Sequence, residues 1–447
     1  MKEPIISVSG LRGIVGESLS PETAVRYVAA FAETLPPGPI VVTRDGRTTG
    51  PMLADAVRSA VVACGRDCLD GGIAATPTTG ILVVDRRAAG GVQISASHNP
   101  PPYNGIKLFS GEGRVVSAAA GQKVVEAYRA GRVAWAPFDK LGQVHPIADT
   151  TAAHLAKVLA AVDVAAIRKR KFKVLLDANH GSGSVLGVRL LEALGCAIEL
   201  RGGTPDGRFA HPPEPTAENL AGVMGDVAKC GADIGFCQDP DADRLALVDE
   251  AGRYIGEEYT LALCVDHVLA KTPGPVVTNC STSRMTEDLA AKYKVPFSRS
   301  AVGEANVTAE MIARGAVIGG EGNGGAIDPR IVYVRDSFIG MALVLDGLAQ
   351  RQTTLSRWAG ELPKYEIVKT KMTLAPDKLS AGLAAVRKHF AEAKFDDLDG
   401  LRLDWPGKWL LVRASNTEPI VRAIAEAPTA AEAQRLCDET LAVLRNV

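Results

Sequence analysis

Short apolar runs of strand length alternate with helix-start signals along this chain, and the alternation restarts twice. That pattern confines it to α/β architecture in several units. Ser20-Pro21-Glu22 combines a hydroxyl cap, a first-turn proline and an early acid, and Val25, Val28, Ala29, Ala32 and Leu35 follow at helical spacing. Residues 39–43 read as a strand, 50–63 as a helix and 91–95 as a strand that ends at a turn. The first restart is the strand KVLLD at 173–177, followed by the polar turn 179–183 and a helix through Leu194. The second is PVVTN at 275–279, with a helix from about Arg284. From about Lys364 the order becomes strand, helix, two strands, helix, which predicts an antiparallel α+β unit containing the strands 408–413 and 419–425.

A chain of 447 residues is too long for one hydrophobic core. Stretches 135–148 and 250–256 precede the two restarts. The expected domains are therefore 1–150, 151–252, 253–365 and 366–447. A net charge of −1 provides no broad basic field for nucleic acid or an anionic membrane, which leaves room for a local cationic pocket. No run approaches the ~20 apolar residues of a membrane span, and the N-terminus MKEPIISVSGLRG has no signal-peptide pattern. A cytoplasmic protein is expected. The eight cysteines are scattered without a C-x-x-C pair, so they read as reduced, buried residues rather than as a zinc site.

Four polar loops carry the chemistry. In the first, a strand runs into Ser97, and Pro100, Pro101 and Pro102 then bar continuation of helix or ladder. A hydroxyl at the carboxyl end of such a strand sits where open α/β sheets bind ligands. His98, Asn99 and Asn104 add polar groups, and Lys107 adds an amine. Ser97 lacks the G-x-S-x-G elbow of hydrolases, and local chemistry alone also allows it to be a turn cap.

Asp239, Asp241 and Asp243 form the second loop, between the apolar runs 234–237 and 245–248. Three alternating carboxylates converge on a hard divalent cation, and oxygen ligands in a compact site suit Mg²⁺. A solvated acidic turn is the plain alternative. A calcium EF-hand is disfavoured because Arg244 stands where that loop needs glycine. Arg244 can satisfy a carboxylate or grip a phosphoryl group in bidentate fashion.

The glycine run 319–325 presents Glu321 and Asn323, an acceptor and an amide suited to sugar hydroxyls, although a flexible turn fits equally. The segment Arg413-Ala414-Ser415-Asn416-Thr417-Glu418-Pro419, with Arg422 beyond it, suits a phosphate nest or an ordinary polar hairpin. Arg12 and Arg44-Asp45-Gly46-Arg47 are further cationic candidates at strand or loop ends.

In this order and at these separations, the segments resemble the α-D-phosphohexomutase family, which includes phosphoglucomutase, phosphomannomutase and phosphoglucosamine mutase. Ser97 in Ala-Ser-His-Asn-Pro looks like the phosphoserine loop, Asp239, Asp241 and Asp243 the magnesium loop, Glu321 and Asn323 the sugar loop, and Ser415, Asn416, Thr417 and Arg422 the phosphate loop. Ser-Gly-Leu-Arg-Gly at 9–13 is similar to the N-terminal signature. The resemblance implies three mixed-sheet α/β domains and a C-terminal α+β domain around a central cleft. It implies catalysis by Ser97, Lys107, Arg244, His98 and Arg12, and Mg²⁺ held by the three aspartates and phospho-Ser97. Arg413 joins the substrate-binding set. The implied partner is a sugar phosphate, with a sugar bisphosphate activator and a monomer or homodimer as the assembly. Lys107 matches the family's acid/base, and burial or Arg244 is expected to lower its pKa.

The sugar loop departs from the family's usual Gly-Glu-x-Ser-Gly followed by histidine, because Asn323 replaces the serine and Gly325 the histidine. Glu304 occupies another specificity segment, where a carboxylate attracts an amino sugar. Glucosamine phosphate is the expected substrate, with glucose or mannose phosphate as alternatives. A non-catalytic sugar-phosphate sensor and a bisphosphate synthase or phosphatase are the readings from other classes.

Overall fold

The computed structural model describes residues 2–7, 9–131, 133–414 and 420–447. Its strands form four sheets, one for each repeat of the sequence pattern and one for the C-terminal unit. The first has seven strands in the order Ile5–Ser7, Gly10–Ile14, Tyr103–Ser110, Gly90–Ile94, Ile40–Arg44, Cys68–Ile73, Val144–Pro146. It is mixed: Gly90–Ile94 runs parallel to Ile40–Arg44 and antiparallel to Tyr103–Ser110. The last of these strands lies inside the stretch 135–148 and extends the first sheet at its edge.

The second and third sheets each have four strands, and both end in an antiparallel edge pair that carries a functional loop. Ile234–Gln238 pairs with Leu245–Asp249 around residues 239–244. Ile318–Glu321 pairs with Gly325–Ile327 around residues 322–324. In both, the hairpin sits beside parallel strands, so its loop projects from the strands' carboxyl ends, where open sheets bind ligands.

The helix starts follow the local chemistry. Ser20 caps Pro21–Thr34, accepting from Thr23 N at 3.1 Å. Asp336 caps Ser337–Arg351 through Phe338 N. That helix is buried along nearly its whole length, packed between neighbouring layers, which explains its apolar circumference.

The C-terminal sheet is antiparallel with five strands, Glu366–Thr373, Ile420–Ala427, Lys408–Ala414, Leu401–Trp405 and Lys394–Asp396. The sequence pattern gave one strand and then a helix before the pair at 408 and 420, and it missed the hairpin 394–405. Those strands are short, and Asp396 at the end of the first, with Asp397 and Asp399 between them, masks the alternation. One face of this sheet packs on the helices Leu379–His389 and Ala430–Arg445. The opposite face packs Trp409, Leu411 and Ile424 against Cys280 of the third domain. Beside this contact the buried Arg402 donates to Cys280 O and stacks on Trp409 at 4.3 Å. Among the described residues, no helix is long and apolar enough to cross a membrane.

His154 joins the first three domains. Its Nδ1 lies 2.9 Å from Thr78 Oγ1 on the helix Thr76–Asp85, and its Nε2 lies 2.8 Å from Asp336 Oδ2. All three side chains are buried. His154→Ala leaves two buried polar groups without their partner, an expected loss of about 2–4 kcal/mol. A chemical-denaturation midpoint equal to wild type would refute this role.

Candidate active site

The strand Gly90–Ile94 delivers Ser97 to the cleft in a left-handed conformation, φ 50°, which a residue with a side chain occupies only when its surroundings impose it. Arg47 imposes it. Its guanidinium donates to Ser97 O at 2.6 Å, Asn99 O at 2.5 Å, Tyr103 O at 2.9 Å and Pro100 O at 3.0 Å. Its Nε pairs with Asp45 at 3.2 Å, and the guanidinium lies 5.1 Å from the Phe209 ring centroid. Asp45 also accepts from Ser95 Oγ at 2.7 Å, and Ser95 Oγ accepts from Ser97 N at 2.9 Å. Arg47 and Asp45 are both buried, so the loop is held from beneath by one ion pair.

The Ser97 hydroxyl donates to Asp239 Oδ2 at 2.7 Å. Residues 142 apart in sequence therefore share one point. Asp239, Asp241 and Asp243 are all buried, and each offers a carboxylate oxygen within 4.8 Å of the others. Lys107 bridges two of them, donating to Asp243 at 2.9 Å and to Asp241. Thr76, at the start of its helix, donates its hydroxyl to Asp241 Oδ2 at 2.6 Å and its N–H to Asp241 O at 2.9 Å. Arg244 N donates to Asp239 Oδ1 at 3.1 Å, which closes the loop on itself.

Burial, then repulsion from Asp241 and Asp243, raises the Asp239 pKa well above the carboxylate range. Burial works in the same direction on Asp241 and Asp243. At Asp241 the charge of Lys107 and hydrogen bonds from Asp239, Lys107 and Thr76 together outweigh it, and at Asp243 the combined charges of Arg335, Lys107 and Arg244 do so, so both pKa values fall. Among the described residues, Asp241 Oδ1 and Asp243 Oδ1 are buried and accept no hydrogen bond. Hard oxygen donors held together in this way fit a divalent cation such as Mg²⁺.

Lys107 differs from expectation. Burial does favour loss of its proton, but Asp241 and Asp243 outweigh burial, and the pKa rises instead of falling. The sequence showed the amine and not its two carboxylate partners.

His98 lies beside Ser97, with Nδ1 3.3 Å from Oγ, and burial followed by Arg244 and Arg12 lowers its pKa to about 2. Its ring is neutral. Arg12 donates to Asn99 Oδ1 at 3.3 Å. Arg244 Nη1 lies 3.7 Å from Glu214, which also approaches His98 Nε2 at 3.9 Å. Of the five catalytic candidates, Ser97, Lys107 and Arg244 bond directly to the aspartates, while His98 and Arg12 adjoin the serine loop.

The sugar-loop candidates lie at the adjacent hairpin. Glu321 accepts from Asn279 Nδ2 at 2.8 Å and Gly303 N at 3.2 Å. Asn323 Nδ2 reaches Glu321 at 3.4 Å, while Asn323 Oδ1 is buried without a donor. Gly324 has φ +81°, and a Cβ there would sit 2.2 Å from Leu245 O, so the sugar loop lies directly on the strand that leaves the metal loop. Glu304 begins the helix Glu304–Arg314 and pairs with Arg335 at 2.7 Å.

Ser415, Asn416 and Thr417 lie outside the described residues. The strands flanking them place Arg413 opposite Arg422, and Arg422 opposite Lys371, a row of cations across three strands. Asp399 pairs with Arg413 at 3.1 Å and accepts from Val302 N at 2.9 Å, tying this end of the C-terminal domain to the segment that carries Glu304.

Sequence reasoning passed over Thr76, Glu258 and Arg335 and left Arg47 as a generic cation. Thr76-Pro77 is a visible helix start, but nothing local points it at Asp241. Glu258 accepts from Ser283 N at 2.9 Å, and burial pushes its pKa up to about 8. A Cβ at Gly322 would lie 2.1 Å from Glu258 Oε1, so this carboxylate packs on the sugar loop.

A serine on a carboxylate cluster, flanked by a lysine and arginines at the mouths of α/β sheets, defines a site for phosphoryl chemistry rather than acyl transfer. Models of the phosphoglucomutase/phosphomannomutase family match the chain throughout: α/β/α domain I over residues 4–133, domain II over 152–252, domain III over 257–365 and the C-terminal domain over 368–443. The chain is 37% identical over 435 residues, 95% of each chain, to a phosphoglucomutase/phosphomannomutase of Thermococcus kodakarensis. It is 34% identical to a "Probable phosphoglucosamine mutase" of Methanopyrus kandleri, covering 98% of this chain and 97% of that one. The crystal structure of a phosphoglucomutase/phosphomannomutase family protein from Burkholderia thailandensis superposes with a TM-score of 0.87 at 26% identity, over 99% of this chain and 98% of that one. The chain belongs to the phosphoglucomutase/phosphomannomutase family.

Replacing Arg47 by lysine keeps the charge but loses the fork that spans four carbonyls. Arg47→Lys is expected to lower kcat at least about tenfold through misplacement of Ser97, with circular dichroism unchanged. A kcat equal to wild type would show that the serine loop holds its shape without Arg47.

Proposed function

We propose that this chain is a phosphohexomutase that interconverts hexose 1-phosphate and hexose 6-phosphate through phosphorylated Ser97 and a bisphosphorylated sugar. The observation that carries this reading is the 2.7 Å bond from the Ser97 hydroxyl into the Asp239-Asp241-Asp243 cluster. A nucleophile and a cation site on separate surfaces could not perform the reaction.

In the first half-reaction the Oγ–P bond of phospho-Ser97 breaks and a P–O bond forms to the free sugar hydroxyl. That hydroxyl loses one proton and Ser97 Oγ gains one. Lys107 is the titratable amine on the same carboxylates and is assigned to carry the proton. In the second half-reaction the other phosphoryl group returns to Oγ by the reverse exchange. A sugar bisphosphate activator would phosphorylate a bare Ser97 by the same chemistry. Asp239, Asp241, Asp243 and phospho-Ser97 would hold Mg²⁺, which supplies charge neutralisation for the transferring group. Arg244 and Arg12 are assigned to steady phosphoryl oxygens, and His98 is assigned a hydrogen bond beside Oγ. Arg413, Arg422 and the segment Ser415-Asn416-Thr417 are assigned to the phosphate that is not reacting. Glu321 and Asn323 are assigned to sugar hydroxyls.

Glucosamine phosphate is the proposed substrate. Glu304 and Glu321 share the guanidinium of Arg335, which also pairs with Asp243, so carboxylates outnumber their cation on the sugar side of the cleft. Among the described residues, Glu304 Oε1 and Asn323 Oδ1 are buried acceptors without donors. An ammonium at C2 would find both charge and acceptors there.

Ser97→Ala is expected to abolish turnover and leave the circular dichroism spectrum unchanged; mutase activity in the purified variant would contradict the phosphoserine route. Asp241→Asn is expected to lower turnover at least about 100-fold and to weaken activation by added Mg²⁺, and wild-type rates in that variant would count against the metal assignment. With a bisphosphate present, kcat/KM should be highest for glucosamine 6-phosphate. A higher value for glucose or mannose phosphate would reassign the sugar, and binding without isomerisation of any of the three would make the protein a sensor.

A further inference from the structure

Arg335 belongs to none of the four motif loops, yet the metal loop and the sugar loop meet on its side chain. Its Nη2 donates to Asp243 Oδ2 at 2.7 Å, its Nε to Glu304 Oε2 at 2.7 Å, and its Nη1 lies 2.9 Å from Glu321 Oε2. Three nitrogens of one planar group therefore face three carboxylates on three separate segments. The guanidinium is buried, so these pairs are shielded from the solvent screening that weakens surface ion pairs.

The root of the side chain is fixed as firmly as its tip. The next residue, Asp336, caps a helix and binds His154, and Ser337 Oγ donates to Ala242 O of the metal loop at 2.7 Å. The stem crosses directly over Gly325, where a Cβ would lie 2.3 Å from Arg335 Cδ and 2.7 Å from Cγ. Gly325 lies outside the left-handed region, so its backbone would accept any residue, and it is the arginine stem that excludes one. A side chain at position 325 would collide with Arg335, which passes through that space.

We propose that Arg335 is a positioning residue that links sugar-loop occupancy to the metal loop, so that binding of a sugar phosphate tightens the cation site through Asp243. The proposal rests on the mutase reading for the identity of both ligands. A sugar that draws on Glu321 or Glu304 shifts the partners of a rigid, planar group. Its third arm then changes the placement of Asp243, whose other oxygen is the buried, unpartnered one. Coupling of this kind is reciprocal: the cation must tighten sugar binding by the same factor.

The test is an equilibrium titration of Mn²⁺ into the full-length protein, followed by electron paramagnetic resonance, with and without saturating glucosamine 6-phosphate. In wild type the sugar phosphate is expected to tighten Mn²⁺ binding at least about fivefold. In Arg335→Gln that ratio should fall to near one, while each ligand alone still binds measurably. Arg335→Lys keeps the charge but reaches fewer carboxylates, so it should also lose most of the ratio, and it carries the comparison if the glutamine variant does not fold. A wild-type ratio near one, or a full ratio in either variant, overturns the proposal. Absence of mutase turnover in wild type would sink the assigned activity instead, and is distinguished because the titration reads binding and not rate.

Discussion

Three buried aspartates within five residues repel one another, and the rest of the cleft answers that constraint. Like charges in a low-dielectric site raise each other's pKa unless positive charge lies close by. Here the compensation comes from different domains: Lys107 from the first and Arg335 from the third. Hydroxyls of Ser97 and Thr76 add hydrogen bonds, again from the first domain. The loop that would hold a cation therefore also draws the sheets together. Its charge meets partners from the first and third domains at one point of the domain junction.

The arginines in the cleft divide into two kinds by what they touch. Arg47 binds main-chain carbonyls and a single carboxylate, and so fixes backbone shape. Arg335 binds carboxylates alone and so fixes the relative placement of loops. Arg12 and Arg244 make longer contacts, Arg12 to Asn99 at 3.3 Å and Arg244 to Glu214 at 3.7 Å and Asp243 at 4.0 Å. The distinction matters for reading sequences of this kind, because the four residues are chemically identical and differ only in partners.

Much of this was legible in advance, for definable reasons. Strands such as KVLLD and PVVTN are short and apolar and end in polar turns, and the α/β alternation follows from them. Ser97 and the aspartates stood out because proline and carboxylate clusters are locally abnormal. The hairpin 394–405 was hidden by acidic residues in its turn. Arg47 and Arg335 were illegible as organisers because their partners lie far off in sequence, 50 or more residues for Ser97 and 92 for Asp243. The direction of the Lys107 shift was misread for the same reason: burial can be guessed from one segment, whereas the carboxylates that overrule it come from another.

Recognition of main chain by Arg47 has an evolutionary consequence. Carbonyl oxygens are the same whatever residue bears them, so the hold of Arg47 on this loop does not depend on the identity of the side chains at 99 or 103. Side-chain changes there would retune the chemistry beside Ser97, where the His98 ring and the Arg12–Asn99 bond lie, while the bend that presents the hydroxyl keeps its support. A scaffold that separates the shape of a loop from its lettering can diversify its substrates without rebuilding its centre.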